Sequence, residues 1–281
     1  MWKEAEGREV FPVFFRVARY YLRAEWLRLA AVVFAACLCA FLMVNNTKTM
    51  PMSYEAFKAQ YGSELTMDRL ARKVNIPREQ LGDSLEEAYP VIRQQHFTRF
   101  LGNTGDFAYL APVLAGALAA LLLCGVFRKR RLAPLLAAGC SRGTIYLVLT
   151  VLYFGVFVLV WLIVVPLSLS RYRLPLDAGQ QACLRLWKPS LLLSFLFSAS
   201  VAYFFAFLLL RPLPAFLAGA AALYLVQWIS GLVPVPVGYL LSLLDWKPST
   251  GPLITQGWIT ALTAAAAVAG GWLCFRRREQ A

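Results

Sequence analysis

The stretch GTIYLVLTVLYFGVFVLVWLIVVPLSLS, residues 143–170, runs without a single charged side chain. A helix needs about 20 apolar residues to cross the hydrocarbon core of a bilayer, and this run exceeds that length. Working outward, uncharged runs recur at Leu29–Thr47, Phe107–Phe127, Pro189–Leu210, Pro212–Leu244 and Pro248–Phe275. They predict an all-α integral membrane protein with six transmembrane helices. Span one is 29–47, and spans two to six fill 107–275, with both termini on one side. The composition agrees: 59% of the 281 residues are hydrophobic and 15% charged. Mean hydropathy is +0.59, whereas a soluble domain carries roughly 25% charged residues. A net charge of +13 would suit nucleic acid if it formed a basic surface. Here the charges only interrupt apolar runs, so no nucleic-acid partner is expected.

Immediately before this run lies RKRRLAPLLAAGCSR, residues 128–142, which has no acidic residue. Its five positive charges determine sidedness, because short loops rich in Lys and Arg stay in the cytoplasm. The leader (Lys3, Arg8, Arg16, Arg19, Arg23, Arg28), segment 128–142, Arg211 and Arg276–Arg278 together hold fifteen such charges. The opposite short loops hold five: Arg171, Arg173, Arg185, Lys188 and Lys247. Both termini are therefore expected in the cytoplasm, including the basic tail 276–281. The first span is not expected to be a cleaved signal, since about 28 residues of charged leader precede it and LMVNN (42–46) offers no small-residue cleavage site.

Three further segments carry structural expectations. Residues 1–28 read as an amphipathic helix at the inner membrane interface, with Arg16, Arg19 and Arg23 on one face and Phe11, Phe14, Phe15, Ala18 and Leu22 on the other. A cytoplasmic extension of span one is the alternative. Residues 48–106 balance eight basic against eight acidic residues and predict a small helical extracytoplasmic insertion. Ser53 and Thr66 are candidate caps there, and Pro77 suits a first helical turn. Within it, LARKVNIPREQL (70–81) imitates a helix-turn-helix fragment, but an outer loop of balanced charge does not suit DNA. Finally, GLVPVPVG (231–238) breaks any helix, predicting a re-entrant half-helix or a long loop before Lys247.

No constellation for bond chemistry is present. The one histidine, His96, stands in the outer insertion and is expected at the surface. Serine-histidine and two-histidine metal sites within the membrane are therefore excluded. No phosphate-cradling loop ending in Gly-Lys-Ser/Thr occurs, so neither ATP binding nor another cofactor is expected on this chain. No metal site is expected, and the six cysteines show no disulfide or zinc framework. Ion relays need ionisable residues inside spans, and these spans offer only weak polar groups. Ser194, Ser198, Gln227 and Gln256 are the candidates to line a pathway; hydrogen bonding between helices is the alternative use of such groups.

Several of these segments together resemble the membrane (permease) subunit of a type-2 ABC exporter. The likeness rests on a basic leader, an extracytoplasmic insertion after span one, a short cytoplasmic segment between spans two and three, and a broken hairpin between spans five and six. The ending GWLCFRRR (271–278) fits as well. The most specific stretch is LLAAGCSRGTIY (135–146), which looks like that family's leucine pair leading through Ser-Arg into span three. The family's upstream acidic-Gly-Thr element is replaced here by RKRR (128–131). The resemblance implies a coupling helix that grips separate ATPase subunits through Arg130, Arg131, Leu132, Leu135, Leu136, Gly139, Ser141 and Arg142. It further implies ATP bound only by those partners and a second permease copy, identical or paralogous. The substrate would be a peptide, antibiotic or lipid-like molecule exported across a bacterial plasma membrane. The expectation from another class is a non-transporting scaffold or sensor whose outer domain binds a ligand.

Overall fold

The computed structural model describes residues 5–45, 53–62, 66–105, 107–125, 132–170, 172, 175–229 and 250–278, and every regular element among them is a helix. In chain order they are α1 (Ala5–Asn45), α2 (Tyr54–Tyr61), α3 (Met67–Val74), a 3-10 turn (Arg78–Gln80) and α4 (Leu85–Gly105). Next come α5 (Phe107–Leu118), which continues into a π-helical stretch Ala119–Cys124, and α6 (Leu132–Ala137). The chain ends with α7 (Arg142–Leu169), α8 (Ala178–Leu209), α9 (Pro212–Ile229) and α10 (Thr250–Arg278). Three helices are long and apolar enough to cross a membrane: α7, α8 and residues Thr250–Arg277 of α10. Shorter apolar stretches cover Leu110–Cys124 and Pro212–Leu225. The chain is thus an all-α membrane protein. The expected broken hairpin at 231–247 lies outside the described residues.

Two boundaries differ from the ends of the uncharged runs. The leader and the first apolar run are one helix of 41 residues, about 60 Å long at 1.5 Å per residue, as the alternative of a leader that extends span one has it. Arg28 and Leu29 fall in its middle. Helical periodicity runs through both parts, and Pro12 lies inside the helix without ending it. The second difference is α8, which begins at Ala178 rather than Pro189. Asp177 caps it: its carboxylate accepts from Gln180 N at 2.7 Å, while the Gln180 side chain accepts from Asp177 N at 3.2 Å. This reciprocal box starts the helix eleven residues before the uncharged run, and Arg185 and Lys188 are carried within it.

α8 is the centre of the bundle, packing against α5, α7, α9 and α10. Its buried face repeats a small residue every fourth position: Ser190, Ser194, Ser198, Ala202 and Ala206 are each 1% exposed or less. That spacing keeps one ridge of the helix low, so neighbouring backbones approach closely, as small residues allow in membrane interfaces. From α9, a Cβ on Gly219 would lie 3.3 Å from Ala202 Cα. On the α10 side, a Cβ on Gly271 would meet Tyr203 Cε1 and Tyr146 Oη, each at 2.9 Å. Tyr153 of α7 ties three helices, its hydroxyl lying 3.2 Å from the Ala115 carbonyl of α5 and 3.0 Å from the Ala199 carbonyl of α8.

The insertion has its own small core of Phe57, Leu70, Ala71, Ile76, Leu81, Ala88 and Ile92. Ser53 caps α2, accepting from Ala56 N at 3.3 Å; Thr66 precedes α3 but makes no capping bond with its side chain. The imitation of a DNA-binding turn is a real tight turn, made by Asn75 in the left-handed conformation at φ 56° and by Pro77 before the 3-10 turn. α4 joins the two cores. Ala88 and Ile92 belong to the insertion, while Phe97, Phe100 and Leu101 belong to the bundle. His96 is half-buried rather than fully exposed, and its Nδ1 is buried without a hydrogen-bond partner among the described residues. Burial, with the Arg99 guanidinium nearby, holds its pKa below the usual histidine value.

The close approach at Gly271 supplies a test. Gly271→Val should destabilise the detergent-purified protein by about 2 kcal/mol through overpacking. Gly257→Ala, where nothing lies within 4 Å, should leave the melting temperature unchanged or raise it slightly, since alanine favours a helix interior over glycine. Thermal unfolding followed by a thiol-reactive dye checks both. Equal behaviour of the two variants would contradict the α8–α10 packing.

Candidate functional site

The segment that sequence singled out forms a capped corner. α6 ends in a Schellman motif: Cys140 N donates to the Leu135 carbonyl and Gly139 N to the Leu136 carbonyl, both at 3.0 Å. The motif requires a left-handed residue, and Gly139 supplies φ +79°, which side-chain-bearing residues rarely adopt. One residue further on, Ser141 Oγ accepts from Thr144 N at 3.1 Å and caps α7. Every connecting residue between the two helices is thus committed to a cap.

What holds this corner to the bundle is Leu135, 8% exposed and part of the main core, with Leu136 and Cys140 half-buried beside it. Leu135 is therefore not free to enter a partner's groove, as the coupling expectation requires of it. A six-residue helix has too little surface to present one apolar face outward and still anchor itself, and Leu135 supplies the anchor. Pro134, Ala137, Ala138, Gly139, Ser141 and Arg142 form the exposed surface. Arg130 and Arg131 lie outside the described residues, as does the side chain of Leu132.

Packing inside the bundle shows which end this is. One turn into α7, the Tyr146 ring meets Phe207 at 5.3 Å, Trp272 at 5.1 Å and Phe275 at 5.6 Å. Its hydroxyl donates to the Val268 carbonyl at 2.5 Å. The start of α7 and the ends of α8 and α10 therefore meet, and the flanking residues Arg142, Arg211, Arg276 and Arg277 gather at one end. The other end is equally defined. Tyr172, between α7 and α8, meets Phe97 edge-on at 5.4 Å and Phe100 at a tilt at 5.2 Å, and Arg93 of α4 donates to the Pro175 carbonyl. The insertion and the α7–α8 connection share that end, and the basic corner occupies the opposite one.

The described candidate pathway residues lie inside the bundle. Ser190 Oγ donates to Gln256 Oε1 at 3.0 Å, and Ser194 Oγ donates back to the Ser190 carbonyl at 3.0 Å. Ser190 and Gln256 bond α8 to α10, and in the single chain Ser194, Ser198 and Gln256 are all 2% exposed or less. Hydroxyls in apolar surroundings are stabilised by the carbonyl four residues back or by the next helix. The side chain of Gln227 lies outside the described residues. Nothing in the runs themselves distinguishes a seam serine from a lining serine; only the facing helix does. Sequence reasoning also passed over Tyr146, Tyr153 and Tyr203, although phenolic groups inside apolar runs were a readable sign of inward hydrogen bonds.

On α1 the expected two faces become three. Phe14 is half-buried against the main core beside Val17 and Tyr21, whereas Phe15 is 65% exposed. Phe15 shares the outer side with Arg19 and Arg23, and Arg16 is exposed too. The assignment of Phe14 and Phe15 to a common face is therefore corrected: at 100° per residue, adjacent aromatics diverge onto different sides.

Two remaining features bear on chemistry. Among the described residues no group of three or more His, Cys, Asp or Glu could hold a metal ion. An open groove of about 530 Å³ lies on the insertion, lined by Asp68, Ala71, Arg72, Asn75, Ile76, Pro77 and Arg78. Its arginines are engaged locally, Arg78 with Asp83 at 2.8 Å and Asp68 at 3.5 Å. No family model, curated protein or solved structure matches this chain.

The anchoring of α6 supplies the next test. Leu135→Ala should cost about 2 kcal/mol as a large-to-small change in a packed site. Ala137→Ser, on the exposed side, should be neutral. Melting temperatures in a common detergent measure both, and a neutral Leu135→Ala would show that α6 is not seated on the bundle.

Proposed function

We propose that this chain is the permease subunit of a type-2 ABC exporter, driven by separate ATPase subunits that bind ATP and dock on the α6–α7 corner. The carrying observation is the capped connection of that corner. A short helix, joined to α7 through residues that all take part in caps and seated by Leu135, exposes Ala137, Ala138, Gly139, Ser141 and Arg142 at the basic end of the bundle. A partner moving this surface moves α7, and α7 hands the motion to α8 and α10 through Tyr146 and Tyr153.

In this reading α1, α5, α7, α8, α9 and α10 are six spans. The basic end and both termini are cytoplasmic, and the insertion projects outward from a bacterial plasma membrane. The serine seam is buried in the single chain, so the substrate, a peptide, antibiotic or lipid-like molecule, passes between two permease copies rather than through one. The contact surface is narrower than the sequence suggested. Ala138, Gly139, Ser141 and Arg142 meet the ATPase, with Leu136 at the edge, and Leu135 positions them.

A second reading, a non-transporting scaffold or sensor, is favoured by one observation, the open groove on the insertion. The experiment separates the two. The chain is co-expressed with an ABC ATPase subunit sought in the adjacent reading frames, and the complex is purified through a tag on the permease. Wild type should retain the ATPase. The double variant Ala138→Glu, Arg142→Glu should lose capture by at least about tenfold, the equivalent of one contact worth 1.4 kcal/mol, with its melting temperature unchanged. Undiminished capture by that variant, or no capture by wild type, would overturn the coupling assignment.

A further inference from the structure

The exposed side of α1 between Phe15 and Trp26 is a shallow groove of about 350 Å³, lined by Phe15, Ala18, Arg19, Leu22, Arg23 and Trp26. Phe15, Leu22 and Trp26 are 65%, 45% and 58% exposed. They recur at helical spacing and form one apolar stripe, with Ala18 as a low floor. Such a stripe in contact with water is unfavourable and marks a surface that something covers. Farther along the helix Leu27, Phe34, Leu38 and Leu42 are also exposed, on a side turned by about 100° or more from this stripe.

The charges along the rim narrow the choice of occupant. Arg19 and Arg23 stand one turn apart, about 6 Å along the axis. Among the described residues neither forms an ion pair. The one acid in the described part of this stretch, Glu25, turns the other way. It is 3% exposed and pairs with Arg28 at 2.9 Å. Two guanidinium groups one turn apart, beside an apolar trough and with no ion pair among the described residues, match a phosphate attached to a hydrocarbon chain. Guanidinium forks bind phosphate oxygens in two-point fashion, while the trough takes the chain.

From this juxtaposition we infer that the groove binds an anionic phospholipid of the inner leaflet, its headgroup phosphate held by Arg19 and Arg23 and an acyl chain laid along Leu22 and Trp26. The inference rests on the reading that the leader half of α1 lies at the membrane. A zwitterionic lipid carries an ammonium group that the two arginines repel. A neighbouring span would cover the stripe but leave both arginines facing hydrocarbon.

Trp26 lies in the groove and reports on it. The full-length protein is placed in nanodiscs containing bromine-labelled phosphatidylglycerol or bromine-labelled phosphatidylcholine at graded mole fractions. Quenching assigned to Trp26 is the difference between wild type and Trp26→Phe. Half-maximal quenching should occur at a phosphatidylglycerol fraction about tenfold below that for phosphatidylcholine, the scale expected for two basic residues at a lipid surface. Arg19→Gln, Arg23→Gln should abolish that preference while leaving saturated quenching intact. Equal quenching by both lipids, or a preference that survives the double substitution, overturns the proposed clamp and leaves the membrane-interface reading standing. Absence of quenching by either lipid overturns both, because the groove is then covered by protein or water.

Discussion

Hydroxyl and amide groups on a helix in hydrocarbon have no water to bond, so each must turn toward its own backbone or toward another helix. α8 carries four such serines, and all four are buried. Bonding Ser190 to Gln256 and Ser194 to its own turn ties α8 to α10 at one fixed rotation. The same rotation aligns Ala202 and Ala206 with the low ridge that admits Gly219 of α9. Once α8 is oriented in this way, Tyr203 faces Thr150 at 2.6 Å and Phe207 faces Tyr146. The seam therefore sets the orientation of the aromatic cluster at the basic end.

That cluster is the link between fold and proposed function. Tyr146 lies one turn after Arg142, and its contacts reach α8 and α10 together. A force applied at the α6 corner meets three helices within one turn of α7. The capped connection at Gly139 and Ser141 joins α6 to α7, and Leu135 keeps α6 seated. In the proposed reading, Ser190, Ser194 and Gln256 hold helices together rather than line a passage. Transport, in this account, uses the surface between copies and moves helices as blocks.

Much of this architecture was legible in the chain. Uncharged runs lie within the helices containing 143–169 and 250–275, because hydropathy alone decides what enters a bilayer. The grouping of Arg142, Arg211, Arg276 and Arg277 at one end also followed from charge counting. Other features were hidden for physical reasons. The start of α8 depended on the Asp177–Gln180 box, a local hydrogen-bond pattern that outweighs the charges Arg185 and Lys188. The unity of α1 was obscured because charge changes at Arg28 although helical periodicity does not. Leu135 and Leu136 look alike in sequence, and only the surface beneath α6 makes one an anchor and leaves the other half-exposed. Ser194 and Ser198 were ambiguous for the same reason, since a serine's role depends on the helix opposite.

The central claim is that the α6 corner and the outer insertion occupy opposite faces of the membrane. Single cysteines placed at Ala138, Lys58 and Ala178 in a cysteine-free chain test it directly, using a membrane-impermeant maleimide on intact cells. The account predicts rapid labelling at positions 58 and 178, and labelling at 138 only after the membrane is opened. Labelling of position 138 in intact cells, at the rate seen for 58, would contradict it.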